Sequence, residues 1–154
     1  MKQDYEFIKE ILQKMEAHDS PVIQSETLLE KLCFSEETER VKRDKLFIHL
    51  QILADSHCIK KSGTMIQSSI SPTEIVSTSR TKLDIGFNLT KGYPTPNQDY
   101  FRLTKNGYEL LASLENNKIM SEVKKTGGKI AIESLIKAGT ELGSQLLLNI
   151  PGLF

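Results

Sequence analysis

The sequence predicts an α+β fold, mainly α, and three observations carry that expectation. Apolar residues recur at three- and four-residue steps through most of the chain, the spacing of amphipathic helices. Two short stretches read as strands: "CIKKSGTMIQ" (residues 58–67), interrupted around Ser62-Gly63, and "DYFRL" (residues 99–103), which alternates in the manner of a half-buried strand. Between them, residues 68–98 are rich in Ser, Thr, Pro, Gly and Asn, a connection long enough to be functional or mobile. At 154 residues, with 38% apolar and 26% charged side chains, the chain suits one domain with a real core.

The first helix follows from Tyr5, Ile8, Ile11, Leu12 and Met15, with Asp4 as its N-cap and Asp19-Ser20-Pro21 as its stop. A second, over residues 26–32, is expected to be capped by Ser25 and to face Leu28, Leu29 and Leu32 inward. A third covers residues 36–56. Leu46, Phe47, Leu50, Leu53 and Ala54 make one apolar face, and Val41, Ile48 and Ile52 a second almost opposite. A helix apolar on two sides is expected to lie between other elements.

Within residues 68–98, "TEIV" and "LDIGFNL" are the only expected strand pieces, and "GYPTPNQ" reads as punctuation before the second main strand. Thr104 is positioned to cap a helix reaching residue 116 or 117. A further helical piece, "KIMSEVKKT", stops at Gly127-Gly128. The last helix, residues 130–148, is closed by Pro151-Gly152.

Three helices followed by an antiparallel hairpin is the winged helix-turn-helix order, in which the third helix enters the major groove and the hairpin is the wing. The expected organisation is a winged-helix domain over residues 1–117 with an enlarged wing at about 58–104, and a helical C-terminal extension over 118–154.

"IHLQILADSHCI" (residues 48–59) resembles the helix-to-strand passage of bacterial winged-helix regulators, with His49, Leu50, Leu53 and Ile59 matching. His57-Cys58 stand where those families place Gly-Leu. "FRLTKNGYELL" resembles their second wing strand and following helix, commonly Leu-Thr-x-x-Gly. Together with the opening "MKQDYEFIKEILQKMEAH" and "VKKTGGKIAIESLIKAG", these blocks look like a bacterial and prophage family of domains of unknown function. Tyr108 stands where that family usually carries His. The resemblance implies a winged helix with a C-terminal helical extension. It implies no established activity, and the family's third helix often begins with acids, as Glu36, Glu37 and Glu39 do here.

The formal net charge is zero, but the charges are segregated along the chain. Residues 1–39 hold four basic and ten acidic side chains, net −6; residues 40–105 hold eleven and five, net +6. A basic middle segment is an electrostatic footprint consistent with nucleic acid. The candidate DNA contacts are Arg40, Lys42, Arg43 and Lys45 on the third helix, and Lys60, Lys61, Arg80, Lys82, Lys91 and Arg102 on the wing. On that reading the chain is a DNA-binding regulator of bacterial or prophage type, its partner double-stranded DNA. The alternative is a winged-helix protein-interaction module or phage accessory factor that binds no DNA.

The last helix places Gly139 and Gly143 four apart, among Leu135, Leu142 and Leu146. These five are the expected contacts for a homodimer or another protein, with docking inside the subunit as the competing possibility. No nucleophile elbow, phosphate loop or metal-ligand spacing is present, so the expectation is no enzyme, no metal and no cofactor. Cys33 and Cys58 are expected as free thiols. An N-terminus with early acids and no apolar run long enough to span a bilayer predicts a cytoplasmic protein without membrane association.

Overall fold

The Asp4 carboxylate accepts the Phe7 N–H at 3.1 Å and opens α1, Tyr5–Ala17, whose buried stripe runs Tyr5, Ile8, Ile11, Leu12 and Met15. A computed structural model describes residues 3–35, 37–64, 80–82 and 85–148, with backbone alone at 64, 80–82 and 144–148. The architecture is α+β and mainly helical.

Helix α2, Ser25–Lys31, begins one residue earlier than expected and has no side-chain cap. Ser25 is inside the helix and buried, and its hydroxyl donates to the Gly86 carbonyl. Helix α3, Glu39–Asp55, is capped by Thr38. Its end forms two reverse hydrogen bonds, His57 N–H to the Ala54 carbonyl at 3.0 Å and Cys58 N–H to the Leu53 carbonyl at 2.8 Å. That closure needs a left-handed residue just past the helix. His57 supplies it, at φ 59°.

Strand β1, Ile59–Thr64, pairs antiparallel with β5, Asp99–Leu103, matching Ile59 with Leu103, Lys60 with Arg102 and Lys61 with Phe101. The ladder is irregular between Lys61 and Thr64. Ile23, in the α1–α2 connection, bridges Phe101 on the other edge of β5 through two hydrogen bonds of 2.9 Å.

A second sheet was not legible in full. Strands β2 (Arg80–Lys82), β3 (Phe87–Thr90) and β4 (Tyr93–Pro96) form an antiparallel sheet in that order. Lys91 and Gly92, both at positive φ, make the two-residue turn that joins β3 to β4. The stretch expected as punctuation is therefore a strand. Pro94 and Pro96 sit opposite Leu89 and Phe87, alternate positions at which the missing N–H groups face away from β3. Such an edge accepts prolines and resists further pairing. "TEIV", residues 73–76, and Pro151-Gly152 lie outside the described residues.

Thr104 caps α4, Lys105–Glu115, accepting the Gly107 N–H at 3.3 Å and donating to the His57 carbonyl. A Cβ at Gly107 would collide with the Cys58 carbonyl, so the glycine of the Leu-Thr-x-x-Gly block lets α4 lie directly on the start of β1. Helices α5, Asn117–Lys125, and α6, Ile132–Leu148, follow. Met120, Val123, Ile132 and Leu135 join the same hydrophobic core as α1, α3 and α4.

Because His57 holds a left-handed conformation that disfavours a Cβ, His57→Gly is expected to stabilise the fold by about 1 kcal/mol and His57→Val to destabilise it. Urea unfolding midpoints at constant m-value check both.

Candidate interaction surface

Two flanking contacts fix the rotation of α3. On one flank the Phe7 ring meets the His49 ring edge-on, centroids 4.9 Å apart. His49 is fully buried; its Nε2 accepts the Asp4 N–H at 3.1 Å, which leaves Nδ1–H to donate to the Lys45 carbonyl at 2.7 Å. The imidazole is therefore neutral, and burial holds its pKa below the ordinary histidine value. On the other flank Phe47 packs edge-on against Phe87 of β3, at 5.7 Å, and the Arg40 guanidinium lies 4.1 Å over the Tyr93 ring of β4.

Between these flanks, opposite the buried Leu46, Leu50 and Leu53, lie Val41, Asp44, Ile48, Gln51 and Asp55. Val41 is 41% exposed and Ile48 is half-buried. The expected second covering of the Val41–Ile48–Ile52 stripe is thus corrected. Ile52 reaches the core, whereas Val41 and Ile48 face outward. The β-sheet covers the Phe47 flank instead. Neither Asp44 nor Asp55 has an ion-pair partner among the described residues.

The four α3 cations do not share that outward face. Lys42 pairs with Glu39 at 3.4 Å and lies over the Phe34 ring. Lys45 pairs with Asp4 at 3.8 Å and lies over Phe7. Arg43 is half-buried, with its Nε shielded and without a hydrogen-bond partner among the described residues. Exposed ion pairs and cation–π contacts are worth only about 1 kcal/mol or less each, so an incoming phosphate could displace them. The angular position of Asp44 and Asp55 is different, because no side-chain rotation removes it.

On the hairpin, Lys60 and Arg102 stand directly opposite each other and are both exposed. Arg102 donates to its neighbour's carbonyl, Leu103, at 3.2 Å. Lys61 is committed inward, 3.6 Å from the carboxylate of Asp99, whose side chain is 2% exposed. Lys91 is exposed at the tip of the β3–β4 turn. Arg80 and Lys82 are placed by register opposite Thr90 and Asn88; their side chains lie outside the described residues.

Of the five residues expected at a protein contact, Leu135 is 2% exposed and Gly139 abuts the Glu109 carbonyl of α4 in the same chain. Leu142 and Gly143 border a groove between α4 and α6, and the side chain of Leu146 is outside the described residues. Cys58 is buried, its thiol pushed up to about 12 by burial, and Cys33 is exposed. Among the described residues no three His, Cys, Asp or Glu side chains gather to hold a metal ion, and no helix is long and apolar enough to cross a membrane.

Residues that sequence reasoning missed are Asp44 and Asp55 as the outward charges of α3, and Tyr93 as the ring beneath Arg40. Helical phase relative to Leu46 and Leu50 could have found the two acids. No family model matches the chain, and no curated protein or solved structure is significantly similar to it.

The buried neutral imidazole has a consequence for stability. Its folded-state pKa lies below the unfolded value of about 6.5, so the unfolded chain takes up the proton first as pH falls. The His49 contribution is therefore full above about pH 6.5 and declines below it. Wild type is expected to lose more stability than His49→Gln between about pH 7.5 and about pH 5, read from urea midpoints.

Proposed function

We propose that the chain is a winged-helix protein-interaction module that binds its partner through the outward face of α3. The winged-helix reading is supported by the order α1, α2, α3, β1, β5, α4 and by the Ile23 bridge to β5, which lays the α1–α2 connection beside the hairpin. In a DNA-reading member of that architecture, α3 would lie in the major groove. The observation that carries the proposal is the composition of its outward face: Val41 and Ile48 flanked by Asp44 and Asp55. Carboxylates there would repel phosphates, and the apolar pair, Val41 exposed and Ile48 half-buried, gains nothing from them. The same face suits a partner helix with apolar residues at three- and four-residue spacing, bordered by Lys or Arg.

A second reading rests on Lys60 and Arg102. Like charges directly across a ladder cost up to about 1 kcal/mol, and an anion bound between them would relieve that repulsion. This supports contact with a nucleic-acid backbone through the hairpin, without base reading by α3.

Two titrations separate the readings. The first uses a labelled amphipathic helical peptide with a Leu stripe flanked by Lys, beside a twin flanked by Glu. The Lys-flanked peptide is expected to bind, and the double variant Asp44→Lys, Asp55→Lys to weaken it at least tenfold. Equal binding of the Glu-flanked twin overturns the proposal. The second titrates a labelled duplex at several salt concentrations. The expected result is no binding, or weak binding whose salt slope falls by about 1–2 in Lys60→Ala, Arg102→Ala. Tight, sequence-selective binding abolished by Arg40→Ala, Arg43→Ala and Lys45→Ala would restore the DNA-regulator reading.

A further inference from the structure

The C-terminal end of α3 and the first residues of β1 border an open hollow of about 460 Å³, a size within the ~300–1,000 Å³ range of small-molecule sites. Its floor is apolar. Ile59 of β1, Phe101 of β5 and Ile85, just before β3, are core residues that also line it, with Ala54 of α3 beside them. Its rim is polar and charged, with Gln51 and Asp55 on α3 and Lys60 and Lys61 on β1.

The two signs of charge on this rim do not neutralise each other. Asp55 makes no ion pair with either lysine, and Lys60 has no ion-pair partner among the described residues. Lys61 is already matched to the Asp99 carboxylate at 3.6 Å, which leaves Lys60 as the rim cation without a counter-charge. Asp55 is the last residue of α3, where the helix dipole adds to its negative charge. A hollow of about 550 Å³ between α1 and α5 gives the contrast, because Glu6 and Lys124 on its border pair with each other at 3.4 Å.

We infer that the α3–β1 hollow binds a small zwitterion with an apolar body, namely a free α-amino acid with a large apolar side chain. That side chain covers the floor of Ile59, Ile85 and Phe101. The ammonium group meets Asp55 at the negative end of α3. The carboxylate meets Lys60 and relieves its repulsion from Arg102, directly across the ladder. A simple anion would be drawn to Lys60 but opposed by Asp55, and a simple cation the reverse. A molecule carrying both charges satisfies both sides of the rim, while the apolar floor supplies the burial. This inference does not rest on the partner reading of α3. Asp55 borders both surfaces, whereas Lys60 and the floor lie off the outward face of α3.

Calorimetric titration of the full chain with L-phenylalanine tests it, beside 2-phenylethylamine, which lacks the carboxylate, and 3-phenylpropionate, which lacks the amine. L-phenylalanine is expected to bind, and each of the other two at least tenfold more weakly. Asp55→Asn, at an exposed position, is expected to weaken L-phenylalanine at least tenfold and to erase its advantage over 3-phenylpropionate. Lys60→Gln, also exposed, is expected to weaken it equally and to erase its advantage over 2-phenylethylamine. These crossed patterns show which end of the ligand meets which residue, and the three-ligand comparison on the unaltered chain decides the matter even where a variant fails to fold. Absence of binding by both L-phenylalanine and L-leucine up to about 10 mM overturns the inference. Equal binding of all three phenyl compounds overturns it too, as does binding that both substitutions leave unchanged, since the ligand then sits elsewhere.

Discussion

The rotational setting of α3 is the constraint on which the rest of the molecule depends. Phe7 and His49 hold one flank, Phe47 and Phe87 the other, and Leu46, Leu50 and Leu53 face the core. A helix held on three sides has one direction left for solvent. Interior packing is dense enough that rotating it by even one residue would exchange buried leucines for charges, at several kcal/mol for each large side chain exposed or charge buried. The outward face is therefore determined by core chemistry, whatever binds there.

His49 ties that setting to the start of the chain. Its neutral ring accepts the Asp4 N–H at the N-terminus of α1 and donates back to the Lys45 carbonyl within α3, so one hydrogen bond joins the two helices and the other fixes the ring. The β2–β4 sheet does the equivalent work on the far side, although it reaches α3 through a segment remote in sequence. The hairpin is held differently. Lys61 neutralises the buried Asp99, while Thr104 and Gly107 seat α4 on His57 and Cys58, just before β1. Three of the cations that make the middle segment basic thus have structural duties: Arg40 on Tyr93, Lys45 on Asp4, and Lys61 on Asp99.

Much of the scaffold was legible because it is written locally. Asp4 and Thr104 cap the helices they were expected to cap, and the Cys58 and Tyr100 segments pair as anticipated. What was hidden depends on distant partners. Ser25 has a cap-like identity, yet its hydroxyl is drawn to Gly86 across 61 residues. Pro94 and Pro96 mimic loop punctuation because an edge strand tolerates them as well as a turn does. The apolar stripe of Val41 and Ile48 has the period of a buried face, and periodicity cannot say which flank a remote sheet will cover. The net charge over residues 40–105 is +6, but charge summed along the chain carries no information about helical phase.

Thiol reactivity along α3 tests this account most directly. In a Cys33→Ser background, where Cys58 is buried and its thiol unreactive, single cysteines at positions 43, 44 and 48 report their exposure to a maleimide reagent. Asp44→Cys and Ile48→Cys are expected to react at least tenfold faster than Arg43→Cys, because in helical phase position 43 lies toward the buried Leu46 and Leu50 and positions 44 and 48 lie opposite them. Fast labelling at 43 with protection at 44 and 48 would mean that α3 turns its basic flank to solvent, contradicting the account.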